Sequence, residues 1–187
     1  MKKLFAPALL LFALTAHAQA PAAYTALPKD SASQKVTYTA VVPVAGVSKD
    51  DLFTRAKEWS ARNFGDNKAA ERMNDRAAGT LIAECELKQP PLSFTDTHSN
   101  LYRFTLAVYT KEGKYMYRLD DITYQNVNPA LATKDVLHRV PFESYATVKE
   151  NKRVAATLTD FNKRIDVIIN SLNQAMTAGA KAVPKGW

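Results

Sequence analysis

The sequence predicts an α+β domain in which an antiparallel sheet buries one face under two helices. Between residues 35 and 124, apolar and polar residues alternate in several segments, as they do in half-buried strands. Two other segments, about 49–64 and 155–178, repeat apolar residues at steps of three and four, which is typical of amphipathic helices. The predicted order is strand, helix, four strands and helix, and such a sheet is stable when its helices cover one face.

The first strand and the first helix are predicted between residues 35 and 65. Valine, tyrosine and alanine occupy every second position from 36 to 44, which predicts a strand with one buried face. Ser48 is a favourable N-cap, and two aspartates in the first turn complement the helix dipole. Gly65 then ends the helix, which we therefore predict over about 49–64.

Four more strands follow before the second helix. We predict them at 70–74, 80–88, 101–110 and 114–124. Lys111-Glu112-Gly113 closes a tight hairpin between the last two strands, because Gly113 can take a positive φ. After Asp120-Asp121 the apolar positions change phase, which a β-bulge or a strand end would explain.

The connecting segments are longer and more polar. Residues 89–100 contain two adjacent prolines and are predicted to form a loop. Residues 125–153 are a long mixed insertion, with a short helix predicted at 142–149. Gly179 ends the second helix, and residues 179–187 are predicted to form a loose C-terminal tail.

The first eighteen residues have the three-part pattern of a secretory signal peptide. Two lysines precede an apolar run from Leu4 to Ala16, and Ala16-His17-Ala18 supplies small residues at the cleavage positions. This run is shorter than the roughly 20 apolar residues that a membrane-spanning helix needs. We therefore expect residues 1–18 to be removed and the protein to be exported, either periplasmic or secreted.

The segment after the predicted cleavage position separates the signal peptide from the folded domain. Gln19 stands where a lipoprotein would carry a cysteine, so we expect a soluble product without a membrane anchor. Residues 19–34 are rich in alanine, proline and serine and lack periodicity, which predicts a flexible linker. The α+β domain is predicted over 35–178.

The composition restricts the classes of partner. The chain has 25 lysines and arginines, 18 aspartates and glutamates, and a formal net charge of +7. In a cytosolic protein this charge would suggest nucleic acid, but an exported protein rarely meets nucleic acid, so we expect none as a partner. The single cysteine, Cys85, excludes an intramolecular disulfide, and its phase in the strand predicts a core residue.

The sequence predicts no catalytic, cofactor-binding or metal-binding residues. His98 and His138 lie in separate loops without the spacing of zinc ligands. The chain contains no glycine-rich phosphate loop, no dinucleotide-binding fingerprint and no nucleophile elbow.

The acidic residues on the predicted strands have two interpretations. They are Glu84, Glu86, Asp120 and Asp121. Arg103 and Arg118 lie on neighbouring strands and predict ion pairs with these carboxylates. The alternative is an acid and a base of a hydrolase, which needs two carboxylates at a defined separation.

Three segments carry a resemblance to a known family. They are GVSKDDLF followed by RAKEW within 46–59, DRAAG at 75–79, and GKYMYRLDDI at 113–122. These segments resemble a family of exported bacterial proteins, a domain of unknown function with a TATA-binding-protein-like (TBP-like) fold. The resemblance covers about 35–178 and implies a TBP-like β-α-β4-α topology and export. It implies no active site, and the fold by itself does not imply a function.

The strand side chains that point away from the predicted helices form a second sheet face. This face mixes apolar, aromatic and charged residues, which suits contact with a partner. The alternatives are an ordinary solvated face and a face covered by residues 125–153. The same alternation includes Thr37 and Val41, and the candidate partner-binding residues are Thr39, Ile82, Glu84, Arg103, Thr105, Tyr109, Met116 and Arg118.

We therefore expect a non-enzymatic binding domain of the cell envelope that acts through this face and the loops at 89–100 and 125–153. Its partner would be another envelope protein or a glycan. One alternative is a hydrolase of cell-envelope material that works through the strand carboxylates. Another is a structural envelope component that self-associates, with the hairpin at 101–124 as an edge.

Overall fold

The computed structural model describes residues 20–65, 71–92, 99–127 and 139–178. The predicted leader, the predicted tail, His98 and His138 lie outside the described residues. The elements are α1 (Ala22–Thr25), β1 (Tyr38–Pro43), α2 (Lys49–Phe64), β2 (Glu71–Asp75), β3 (Thr80–Gln89), β4 (Ser99–Lys111), β5 (Lys114–Val127), β6 (Val140–Pro141), a 3₁₀ helix (Phe142–Thr147) and α3 (Lys152–Thr177).

Six strands form one antiparallel sheet in the order β1-β5-β4-β3-β2, and β6 also pairs with β5. The helices α2 and α3 lie on the same face of this sheet, since their apolar side chains share one core with those of the strands. Trp59 of α2 donates a hydrogen bond to Ser171 of α3 across 3.0 Å, which joins the two helices. The predicted α+β fold with two helices on one face is confirmed.

The boundaries of α2 follow from its end residues. Ser48 Oγ accepts a hydrogen bond from the Asp51 amide at 3.1 Å, which caps the N-terminus. Gly65 has a φ of 81°, a left-handed conformation that ends the helix. The observed span, Lys49–Phe64, is the span that the sequence predicts.

The helix α3 begins three residues before the predicted start at 155. Asn151 caps it by accepting hydrogen bonds from the amides of Arg153 and Val154, both at 3.0 Å. The first turn therefore depends on a capping residue and not on apolar periodicity. The buried face of α3 consists of Thr157, Leu158, Phe161, Ile165, Leu172 and Met176.

An aromatic cluster ties the C-terminal half of the chain to the sheet. The rings of Phe142 and Phe161 lie 4.5 Å apart between centroids, and those of Tyr102 and Phe161 lie 4.6 Å apart. Phe142 belongs to the 3₁₀ helix, so this part of the insertion at 125–153 packs on the helix-covered side. The predicted short helix is present, as a 3₁₀ helix, at Phe142–Thr147.

The segment at 20–34 differs from the flexible linker that the sequence predicts. It contains α1, and Tyr24 and Leu27 are only 4% and 5% exposed. The Tyr24 ring packs near Phe142, with 6.3 Å between centroids. This segment also covers Thr37, which is buried and lies off the second face where the alternation places it.

The phase change in β5 is a β-bulge. The register of β4 and β5 shifts between Arg103 and Thr105, and Asp121 has a φ of 49°. The extra residue returns Ile122 to the core, where it is buried. Of the two explanations for the phase change at Asp120-Asp121, a bulge or a strand end, the bulge is the one present.

The outer edge of β1 has few backbone amides that are free to pair with another strand. The Thr37 amide donates to the Pro28 carbonyl at 3.0 Å, which satisfies the start of this edge. Because alternate residues point their backbone groups to the same side, Thr39 and Val41 provide the next outward amides. Pro43 would be the third outward position, and it has no amide hydrogen.

The opposite edge of the sheet is β2, which is also short. Its five residues are mostly exposed, and its register with β3 is irregular between Glu71 and Met73. The hairpin at 101–124 is not an edge, contrary to our expectation, because β4 lies between β3 and β5, and β5 lies between β4 and β1. None of the described helices is long and apolar enough to cross a membrane.

Candidate binding face

The sheet face opposite α2 and α3 is not covered by any helix within the described parts of the chain. We call it the open face. The ladder register places all eight predicted residues on it, in one contiguous area. Their role in partner binding stays a prediction. Val41, which the same alternation includes, also lies on the open face, together with two residues that the prediction omitted, Met73 and Ala107.

Two rows of side chains cross the open face in register. In one row Val41 of β1, Met116 of β5 and Tyr109 of β4 lie side by side. In the next row Arg118 lies between Thr39 of β1 and Ala107 of β4. Ile82 of β3 continues this second row beside Ala107, and Met73 of β2 pairs with Ile82.

The apolar side chains of these rows form a continuous band across the sheet: Val41, Met116, Tyr109, Ala107, Ile82 and Met73. Val41 is 60% exposed and Met73 is 46% exposed, while Ile82, Tyr109 and Met116 are half-buried. A single exposed apolar side chain is ordinary on a protein surface. A contiguous band that is bordered by charges marks a surface suited to contact.

The band deepens into a depression beside the turn of the β4–β5 hairpin. This depression has a volume of about 180 Å³. Its lining residues are Val41, Tyr109, Lys111, Lys114, Tyr115 and Met116. It therefore has an apolar floor and two cationic side chains at its rim.

The arginines of the open face are held by carboxylates. Arg103 Nε lies 2.5 Å from Glu86 Oε1 on the neighbouring strand. Arg118 Nε lies 2.5 Å from Asp120 Oδ2 on its own strand. The predicted cross-strand pairing is thus present for Arg103 with Glu86, whereas Arg118 pairs with Asp120 within β5 and not across strands. Asp121, at the bulge, contacts Lys35 instead, with 3.2 Å between Nζ and Oδ1.

Glu84 is paired with two arginines that the sequence did not connect with it. Arg72 of β2 donates a short hydrogen bond to one carboxylate oxygen, and Arg139 Nη1 lies 3.5 Å from the other. The hydrogen bond from Arg72 lowers the pKa of Glu84, outweighing the opposite effect of burial. A carboxylate held in this way is a poor general acid, since that role needs a raised pKa.

Lys111 and Lys114 face each other directly in the ladder. Glu112 lies between them in the turn, but its Oε2 accepts a hydrogen bond from the Lys49 amide at 3.1 Å. Neither lysine has an ion pair with any residue within 20–65, 71–92, 99–127 or 139–178. Because neither lysine is paired within these ranges, this end of the open face carries an uncompensated positive charge. Like charges directly opposite each other in a sheet are also destabilising.

Cys85 lies on the other face of the sheet, in the core. It is buried, and burial raises the pKa of its thiol to about 12. The thiol is therefore protonated at neutral pH and is not a nucleophile. Within the described ranges, no three histidine, cysteine or acidic side chains group closely enough to hold a metal ion.

The comparisons with known proteins concern the fold. Residues 38–125 match the model of a family described as a domain of unknown function (DUF4468) with TBP-like fold. No curated protein matches the chain. This match confirms, over residues 38–125, the resemblance to a family with a TBP-like fold that the sequence suggested.

Two solved structures are similar to the chain at 16% sequence identity. A TBP-like protein from Parabacteroides distasonis has a TM-score of 0.62 and covers 78% of this chain and 94% of its own. A DUF4468 family protein from Bacteroides ovatus has a TM-score of 0.63 and covers 88% of this chain and 96% of its own. At this identity the likeness shows the TBP-like fold and no more.

Proposed function

We propose that this chain, which carries a TBP-like domain matching a family of unknown function, is a non-enzymatic binding domain of the cell envelope. The open face is the surface that contacts its partner. The observation that carries this proposal is the apolar band from Val41 to Met73, which is exposed at both ends and bordered by charged side chains.

The charges around the band support recognition of another macromolecule. The ion pairs hold the Arg103 and Arg118 side chains against the sheet, so their positions are fixed before binding. Fixed charges lose less conformational freedom on association than mobile ones, and they select against partners of the wrong charge. Arginine is also among the residues enriched at protein interfaces.

The hydrolase alternative receives no support from the carboxylates that it would use. Glu84 and Asp120 are each paired with arginine, and the pKa of Glu84 is lowered. The location in the envelope rests on the leader pattern at 1–18. Pro21 is already buried in the fold, so cleavage after Ala18 would leave the domain intact.

A photo-crosslinking experiment tests the open face directly. A photoreactive phenylalanine analogue replaces Met116 in the full-length protein, and Val167 is replaced in a second sample. Val167 is 62% exposed on α3 and serves as a matched apolar control away from the open face. We expect a defined adduct from position 116 in envelope extract and none from position 167.

Charge reversal provides the complementary measurement. Arg103→Glu places a second carboxylate beside Glu86, and Arg118→Glu places one beside Asp120. Each variant should weaken capture of the same partner, because it reverses a charge that borders the apolar band. Arg62→Glu, on the exposed surface of α2, should leave capture unchanged. Equal capture by both open-face variants and the control would overturn the proposal.

A further inference from the structure

We infer that the partner presents an acidic polypeptide segment with one hydrophobic side chain, which enters the depression between Lys111 and Lys114. This inference rests on the proposed binding role of the open face and specifies its anchor point. The hydrophobic side chain would contact Val41, Tyr109 and Met116, and the acidic groups would contact the two lysines.

The arrangement of charge favours an anionic occupant. Lys111 and Lys114 are directly opposite in the ladder, and both are exposed. The nearest acidic residue, Glu112, directs its carboxylate to the N-terminus of α2. An anion placed over the rim would compensate both lysines at once, which no residue in the described ranges does.

The size and shape of the depression favour a single anchor side chain. Its volume of about 180 Å³ is below the roughly 300–1,000 Å³ of pockets that enclose a small molecule. Protein interfaces commonly place one large apolar side chain in a shallow pocket of this kind. The floor also continues into the apolar band through Met116, so adjacent residues of the same partner would remain in contact.

The remaining charges of the open face argue for a polypeptide over an anionic membrane surface. Beyond the apolar band the face carries Glu84, Glu86 and Asp120, each beside an arginine. A flat anionic surface would meet these carboxylates together with the lysines. A short acidic segment at the hairpin end would meet the lysines alone.

The test uses the isotope-labelled full-length protein and a short synthetic peptide with a central leucine flanked by glutamates. We expect the NMR signals of Val41, Tyr109 and Met116 to shift on titration. Lys111→Glu combined with Lys114→Glu should raise the peptide Kd about tenfold, since two surface ion pairs are replaced by repulsion. Lys57→Glu, on the exposed surface of α2, is the matched control and should leave the Kd unchanged.

Two further probes separate the components of the site. A peptide with lysines in place of the glutamates should not bind, and one with serine in place of leucine should bind more weakly. Equal binding of the acidic and basic peptides, or shifts that avoid Val41 and Met116, would overturn the inference. So would binding of phosphatidylglycerol vesicles through the two lysines without peptide binding.

The proposed function can be judged separately. If Arg103→Glu and Arg118→Glu lose partner capture while the acidic peptide shifts no signals, the open face remains a binding surface and the acidic anchor is wrong. If those variants keep capture, the binding face itself is wrong.

Discussion

Lys111 and Lys114 lie directly opposite each other in the sheet, and the repulsion between their positive charges destabilises the fold. Replacing Lys111 by glutamate would convert a like-charge pair into an opposite-charge pair across the β4–β5 ladder. Cross-strand pairs of this kind contribute about 0.2–1 kcal/mol. We therefore expect Lys111→Glu to raise the free energy of unfolding by up to about 1 kcal/mol, measured by urea denaturation.

A neutral variant separates repulsion from attraction in this pair. Lys111→Gln removes the repulsion without adding an attraction, so its gain should be smaller than that of Lys111→Glu. A loss of stability in both variants would show that the lysines contribute to the fold in a way that their opposed charges do not explain.

Single residues also show where sequence patterns stop being informative. Thr37 continues the alternation of β1, yet it is buried because residues before it fold back over the edge. Tyr24 and Leu27 occur in a segment without periodicity, yet both belong to the core, where Tyr24 packs near Phe142 and α1 contacts α3. Contacts between residues distant in sequence decide these positions, and the local pattern does not report them.

At the level of elements, one side-chain amide connects the end of β3 to α3. Gln89 is 1% exposed, and its Nε2 donates to Asp160 Oδ2 at 2.7 Å and to the Thr157 carbonyl at 3.1 Å. Its Oε1 accepts from Asn100 and from the Tyr102 hydroxyl. All the polar groups of this side chain are thereby satisfied.

Removing this amide should loosen the attachment of α3. Gln89→Met has a similar volume but removes one of the two donors to Asp160 Oδ2 and an acceptor of the buried Tyr102 hydroxyl. Unsatisfied buried polar groups cost about 1–3 kcal/mol. The expected result is a lower urea midpoint with an unchanged slope. As a control, Gln174→Met replaces an exposed glutamine of α3 and should leave the urea midpoint nearly unchanged. An unaltered midpoint for Gln89→Met would contradict this assignment.

The same network depends on pH through Asp160. Burial acts to raise the pKa of Asp160, but hydrogen bonds from Arg164 and Gln89 outweigh it and lower the pKa overall. A carboxyl whose pKa is lowered by folding stabilises the protein above its unfolded pKa of about 3.9. This contribution is lost as the pH falls through the lower folded value.

The helices illustrate which elements could be predicted from the sequence. Both ends of α2 carry strong local signals, Ser48 and Gly65, and its boundaries match the prediction. In α3 the capping signal at Asn151 is also local. The charged residues that follow it lack an apolar repeat, so the predicted helix begins too late. The two-residue strand β6 has no pattern of its own and exists because β5 is beside it.

At the level of the whole molecule, the core is rich in buried phenols. Burial raises the pKa of six of the eight tyrosines. For Tyr115 and Tyr145 the pKa rises to about 12. An unfolded chain ionises tyrosine near pH 10, so the unfolded state gains stability above that pH while the folded state keeps its protons.

We therefore expect the free energy of unfolding to fall steeply above about pH 10. Unfolding followed by phenolate absorbance and by circular dichroism should give coincident alkaline transitions. In Tyr115→Phe the decline between about pH 10 and 12 should be shallower, because one phenol that titrates on unfolding is gone. An identical slope in that variant would contradict the role of buried phenols.

The candidate site was predictable in part. Side-chain alternation alone places Thr39, Glu84 and Arg118 on one face, and the structure brings all eight predicted residues together there. The pairing of Glu84 with Arg139 was not predictable, because Arg139 lies in a mixed segment without periodicity. The depression was also missed, since it depends on the register of β1 against β5.

The short sheet edges limit how many molecules of this protein can assemble together. A strand added at β1 would find outward amides only at Thr39 and Val41 before Pro43 interrupts them. Under the proposed binding role, one open face and two unsuitable edges within the described residues predict one binding site per chain. Its complexes would be saturable, with one partner per chain, and would not grow into filaments.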